Sequence, residues 1–246
     1  MIDKYGLDID VYAFTGKGKG NGESVDVVGN TIYLPCDDTD VSNKHFQLMR
    51  YAVENLQDYD IVLKTGNSTF VNLKNLADFC NSENYDMGKV YCTYSVELYI
   101  SLDCETHSMY KSGFKYFPTG VFTLCSYDIF RTMCRDFESA HDYLACRYFE
   151  QIEYEGDNDK RMWRGIPEDC VCGYVMYYNG IPFEILYDRC VRVYSCGIWD
   201  SELWKMGNPF SLLALVCKTD AGYSERLEHE PKFIDLVCRF HEYADL

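Results

Sequence analysis

The sequence carries 13 cysteines but no Cys-x-x-Cys pair, and its only closely spaced pair is Cys170-x-Cys172. Zinc sites and thiol redox motifs depend on paired spacing, so neither is indicated, and the odd count gives no closed disulfide framework. The cysteines read as small buried hydrophobes in a reducing compartment. No apolar run approaches the roughly 18 residues of a membrane span. The opening stretch MIDKYGLDID lacks a signal-peptide pattern. These absences predict a cytoplasmic chain without a membrane span. Basic residues are also scarce, with 23 Lys and Arg against 39 Asp and Glu and a net charge of −16. Non-specific nucleic-acid binding is mostly phosphate neutralisation by Lys and Arg, so nucleic acid is not an expected partner. The glycine-rich stretch Gly16–Gly22, GKGKGNG, is not a phosphate-binding fingerprint: its spacing is wrong and no helix pattern opens directly after it. It reads as a surface loop. No internal repeat and no low-complexity tract is present.

What the chain does have is apolar material: 47% of its 246 residues are hydrophobic, 16% are aromatic, and 22 are tyrosine. That suffices for a substantial core, and the length suits one large α/β domain spanning residues 1–246. Leu7–Thr15 reads as a strand, as do Asn30–Leu34, Asp60–Lys64, Lys89–Tyr94, Val121–Cys125 and Phe183–Tyr187. Helical stripes recur at Phe46, Met49, Val53 and Leu56, at Leu73, Leu76, Ala77 and Cys80, and at Ile129, Phe130, Met133 and Cys134, the last capped by Ser126. A helix is expected over Ile166–Tyr178, with Pro167 near its start and Gly180 past its end. A closing helix is expected over Pro231–Asp245. Strand and helix alternate in the first half, which predicts a mostly parallel central sheet with helices on both faces.

Three stretches stand out as chemistry-bearing. The first is the elbow Thr65-Gly66-Asn67-Ser68-Thr69, which follows a strand and contains no carboxylate. Ligands of α/β sheets bind at strand carboxyl ends, so its hydroxyls, amide and glycine suit a polar ligand such as a sugar. The other reading is a plain turn in which Ser68 or Thr69 caps the following helix. The second is GIPEDCVCG, Gly165–Gly173, with Glu168 and Asp169 on the first turn of a helix. Acids favour that position in any helix, and the dipole also keeps a carboxylate charged there, as a general base must be. The third is FPTGVFTLCS, Phe117–Ser126, where Thr119 and Gly120 open an apolar strand. Gly120 allows either a flat ligand against the backbone or a tight strand entry.

In this order, Leu63-Lys64-Thr65 with Thr69-Phe70-Val71-Asn72, then Gly120, then Pro167-Glu168-Asp169 with Gly173, the three stretches resemble the β-1,3-galactosyltransferase and fringe group of GT-A glycosyltransferases. KTGNSTF is close to the Arg-Thr-Asn-x-Ser-Ser-Phe variant of bacterial and large-virus relatives. The resemblance spans about Asp8 to Tyr187. It implies a single GT-A-like, Rossmann-like domain that moves a hexose from a nucleotide diphosphate sugar, a UDP-sugar in first place, to a hydroxyl of a glycan acceptor, with inversion. Polysaccharide biosynthesis is the implied setting. The donor is then placed at Lys64, Thr65, Gly66, Asn67 and Ser68, the acceptor at Thr119 and Gly120, and the catalytic base at Asp169 or Glu168, with Asp169 favoured.

The chain departs from that family at two places. The usual Asp-x-Asp is replaced by Gly66, Asn67 and Ser68. Amides and hydroxyls are poor Mg²⁺ or Mn²⁺ ligands beside carboxylates. Two readings follow: a mechanism without a cofactor, a divalent metal not being favoured, in which protein cations stabilise the departing diphosphate, or a decayed donor site. Lys218 and Arg226 match a basic tail segment that closes over the diphosphate in relatives. Family members also carry an extra strand before the one matching Leu7–Thr15, and only Met1–Gly6 precedes it here. A non-catalytic sugar-binding relative and a phage-type DNA-base glycosyltransferase are the alternative expectations. The acidic charge speaks against the second of these.

Overall fold

The computed structural model describes residues 8–17, 24–37, 41–66, 69–97, 116–134, 168–187, 189–193 and 213–217. Its strands are β1 (Ala13–Gly16), β2 (Asp26–Val28), β3 (Thr31–Leu34), β4 (Ile61–Thr65), β5 (Thr69–Val71), β6 (Val90–Cys92), β7 (Ser95–Glu97), β8 (Tyr116–Pro118), β9 (Phe122–Ser126), β10 (Phe183–Ile185), β11 (Cys190–Val193) and β12 (Ala214–Cys217). Its helices are α1 (Val41–Asn55), α2 (Leu73–Cys80), α3 (Tyr127–Cys134) and α4 (Glu168–Tyr178). Among the described residues, α1, α2 and α3 sit where the apolar stripes predict them, and α4 falls within the helix expected over Ile166–Tyr178. Gly180, at φ 67°, follows α4, and the Ile181 N–H reaches back to the Met176 carbonyl at 2.9 Å. The expected helix over Pro231–Asp245 lies outside the described residues.

The central sheet is four-stranded in the order β10-β6-β9-β4. Its strands are pleated, so neighbouring residues serve opposite faces. On β4 and β9, Val62 and Cys125 join a core formed with α1, α3 and α4. Leu63, Phe122 and Leu124 join a second core that contains Leu76 and Phe79 of α2. Helices therefore cover both faces, as expected, and the class is α/β.

The mostly parallel sheet is not what forms. β10 and β6 are parallel, but β9 runs antiparallel to both β6 and β4. Two smaller sheets among the described residues also mix parallel and antiparallel pairs, and the β7-β8 pair is antiparallel. The physical reason lies in the connections. A parallel neighbour needs a long crossover, usually a helix. Only Thr93-Tyr94 separates β6 from β7, and only Thr119-Gly120-Val121 separates β8 from β9. These links continue the arms β6–β7 and β8–β9 of one hairpin, and because the arms pair antiparallel β9 returns antiparallel to β6.

A second correction concerns the helix cap. Neither Ser68 nor Thr69 caps α2. Thr69–Val71 forms β5, paired antiparallel with β12, and α2 begins after Asn72. Thr69, Phe70 and Val71 are β-branched or aromatic and favour a strand. The Asn72 side-chain oxygen accepts the Asn75 N–H at 3.1 Å. Replacing Asn72 with alanine leaves that donor without its cap and is expected to cost about 1 kcal/mol. A urea midpoint indistinguishable from that of the unmodified protein contradicts this role.

The expected Leu7–Thr15 strand is shorter, forming only at Ala13–Gly16. It pairs in parallel with β3, and β3 continues into β2 through a turn with Gly29 at φ 57°. The Tyr59 hydroxyl, just ahead of β4, donates to the Asp10 carboxylate just ahead of β1.

Candidate functional site

Three stretches far apart in sequence meet at the carboxyl ends of β4 and β6. In the elbow, the Gly66 N–H donates to the Val121 carbonyl at 3.1 Å, and the Thr69 hydroxyl donates to the same oxygen at 3.0 Å. The Thr69 N–H closes the turn on the Gly66 carbonyl at 3.1 Å, and the Thr65 hydroxyl donates to that carbonyl at 2.9 Å. In the β8–β9 link, Thr119 donates through both its N–H and its hydroxyl to the Tyr94 carbonyl, each at 3.2 Å. The next residue, Gly120, donates its N–H to Asp169 Oδ2 at 3.1 Å. Asp169, on the first turn of α4, is thus tied to the strand link that also holds the elbow.

The sharpest packing feature lies one turn along α4. A Cβ on Gly173 would fall 2.3 Å from Phe117 Cβ and 3.2 Å from Phe117 Cα. Only glycine lets the helix lie this close to β8, and that proximity sets Asp169 against Gly120.

Lys64 and Thr65, neighbours on β4, serve opposite faces of the sheet. Lys64 pairs across β9 with Thr123, and Thr65 pairs with Phe122. Lys64 and Thr123 join Asp169, His45 and Cys172 around a small cavity of about 20 Å³ on the α1 and α4 side. That volume holds one water molecule and excludes a hexose. Lys64 therefore lies on the side of the candidate base and not on that of Thr65. Asn67, Ser68, Lys218, Arg226 and the side chain of Glu168 lie outside the described residues, although the Glu168 backbone opens α4.

Two residues at this end of the sheet escape the sequence reading. His45 on α1 is buried, and its Nδ1 lies 3.9 Å from the Cys172 sulfur. Burial pushes its imidazole well below the ordinary value of 6.5, and the Lys64 ammonium adds to the effect. The signal was available, since His45 and Met49 are four residues apart on one helical face. Thr93, just after β6, is buried, and its hydroxyl has no hydrogen-bond partner among the described residues. Nothing in the sequence separates it from other strand-end threonines.

The depressed His45 value has a sign. Below pH 6.5 the unfolded chain takes up a proton that the folded imidazole refuses, so stability falls as pH drops towards the folded value. The slope for one proton is at most about 1.4 kcal/mol per pH unit. Urea midpoints at neutral and mildly acidic pH should therefore diverge, and His45→Gln should reduce the divergence. An unchanged pH slope in that variant contradicts the assignment.

Chemically, the hydroxyl protons of Thr65 and Thr69 and the Gly66 N–H are all spent on backbone carbonyls. The two hydroxyls therefore keep only lone pairs for a further partner. Lone pairs suit the hydroxyl donors of a sugar and repel phosphate oxygens. Among the described residues, no group of three or more His, Cys, Asp or Glu side chains is placed to hold a metal ion. Among the same residues, no helix is long and apolar enough to cross a membrane. No protein-family model matches the chain, and no curated protein matches it.

Proposed function

We propose that the chain is a glycosyltransferase that moves a hexose from a nucleotide diphosphate sugar, a UDP-sugar in first place, to a hydroxyl of a glycan acceptor with inversion. One observation carries this reading. The Asp169 carboxylate, at the start of α4, is fixed on the Gly120 N–H at 3.1 Å, in the same link that latches the Thr65–Thr69 elbow through Val121. A carboxylate tied to the link that also latches a polar elbow, at the carboxyl ends of strands, favours transfer to a hydroxyl.

In the proposed reaction, the acceptor hydroxyl gives its proton to Asp169 as its oxygen attacks the anomeric carbon. The bond from that carbon to the diphosphate oxygen breaks, and the diphosphate leaves with the electron pair and a negative charge. The elbow supplies acceptors and not cations, so it receives the hexose hydroxyls. Lys218 and Arg226 are the proposed partners of the diphosphate. The GT-A-like architecture, single-domain organisation and cytoplasmic setting belong to the same proposal.

Release of UDP from a panel of UDP-hexoses, with simple saccharides as acceptors and with a chelator present, tests the reading. UDP appearing with one of them, faster when a saccharide is added, is the expected result. No release from any donor, with chelator or with Mn²⁺, overturns it. The absence of a carboxylate from Thr65–Thr69 favours a second reading, a sugar-binding protein without turnover. Saturable binding of a nucleotide sugar with no release identifies that case.

A further inference from the structure

We propose that His45 is a positioning residue for Asp169, acting from inside the fold through the small cavity the two side chains share. The inference concerns a group that touches neither elbow nor acceptor. It rests on the transferase reading only in calling Asp169 a base.

The geometry behind Asp169 supports this role. The first turn of α4 is held on one side by the Gly120 N–H and on the other lines a small cavity against α1. That space is about 20 Å³, enough for one water, which needs two to four polar partners. Lys64 and Thr123 face it from the sheet, Asp169 and Cys172 from α4, and His45 from α1, while α3 contributes only apolar side chains. Cys172 lies three residues after Asp169 on the same helix face, and its sulfur is 3.9 Å from His45 Nδ1. His45 thus packs against the turn that carries Asp169. An uncharged imidazole offers one donor and one acceptor there. A protonated one would bring a second cation into a cavity that Lys64 already lines, and would offer no acceptor. The buried imidazole resists protonation because burial penalises its charge and, secondarily, because of the Lys64 ammonium. Lys64, Asp169 and Cys172 are the titratable groups that line this cavity with it.

The Gly120 amide is the reporter, because it donates to Asp169 and its proton chemical shift follows that bond. In the unmodified protein, an NMR pH titration should show the Gly120 amide moving with the same midpoint as the His45 ring protons, separately from any carboxylate titration. His45→Gln, which keeps a donor and an acceptor, should leave the Gly120 amide at its neutral-pH position and remove that inflection. His45→Leu, which fills the space without a polar group, should shift the amide at neutral pH. A Gly120 amide that stays put while His45 titrates overturns the proposal. If His45 does not titrate before acid unfolding, the variants decide: identical amide positions in His45→Gln and His45→Leu overturn it, and a shift confined to His45→Leu supports it. None of these readouts needs a sugar donor. Failure to bind any nucleotide sugar would remove the transferase reading and leave this result standing.

Discussion

Substituting Gly173 with alanine is expected to cost about 3 kcal/mol of stability and to abolish most transfer. The added Cβ would lie 2.3 Å from Phe117 Cβ and 3.2 Å from Phe117 Cα. Neither atom can swing aside as a side-chain tip could, so α4 or β8 must move. Overpacking of this kind costs about 1–3 kcal/mol, and contact with backbone places it at the upper end. Asp169 lies one turn earlier on the same face of α4. Pushing the helix off β8 therefore lengthens the 3.1 Å bond from Gly120. A displacement of about 1 Å at a reacting group lowers rates on the order of 100-fold. Gly180→Ala is the matched control. Gly180 has φ 67° and nothing within 4 Å of an added Cβ, so it should lose about 1 kcal/mol. Activity should survive that change. Urea midpoints and UDP release read both effects, and a Gly173→Ala protein with an unshifted midpoint contradicts the close approach of α4 and β8.

Asp169→Asn separates chemistry from architecture. An asparagine oxygen can still accept the Gly120 N–H, so the urea midpoint should barely change. It cannot take a proton from an acceptor hydroxyl. Loss of a general base lowers turnover by about 100- to 10,000-fold. Donor binding should persist, because the elbow lies across the Gly120 link and is latched through Val121. Glu168→Gln is the companion measurement. If it abolishes transfer while Asp169→Asn does not, the base is the other carboxylate of the pair.

Much of the fold was legible from local pattern. Phe46, Met49 and Val53, then Ile129, Phe130 and Met133, repeat at helical spacing because one helical face must be buried. Strand direction was not legible, because it depends on what links the strands. β6 with β7 and β8 with β9 are the antiparallel arms of one hairpin, and the direction of an arm leaves no trace in its apolar pattern. The Thr69–Val71 strand was hidden for a related reason: its partner, Ala214–Cys217, lies far along the chain. At the site, the pairing of Gly120 with Asp169 could be anticipated only as two separate stretches, and the structure supplies the contact. Gly173 did carry a signal. Glycine inside a helix costs about 1 kcal/mol relative to alanine, so its presence there points to a close neighbour. His45 was missed because a lone histidine beside a charged residue looks like surface, although its spacing from Met49 places it inside.

Titration calorimetry with a panel of nucleotide diphosphate sugars, run once with a chelator and once with Mn²⁺, tests the central claim most directly. The elbow between Thr65 and Thr69 has no carboxylate and presents hydroxyl lone pairs. Saturable binding of at least one UDP-hexose, with the same affinity in both conditions, is the predicted result. No saturable heat with any nucleotide sugar contradicts the account, and binding that appears only with Mn²⁺ contradicts its metal-independent form.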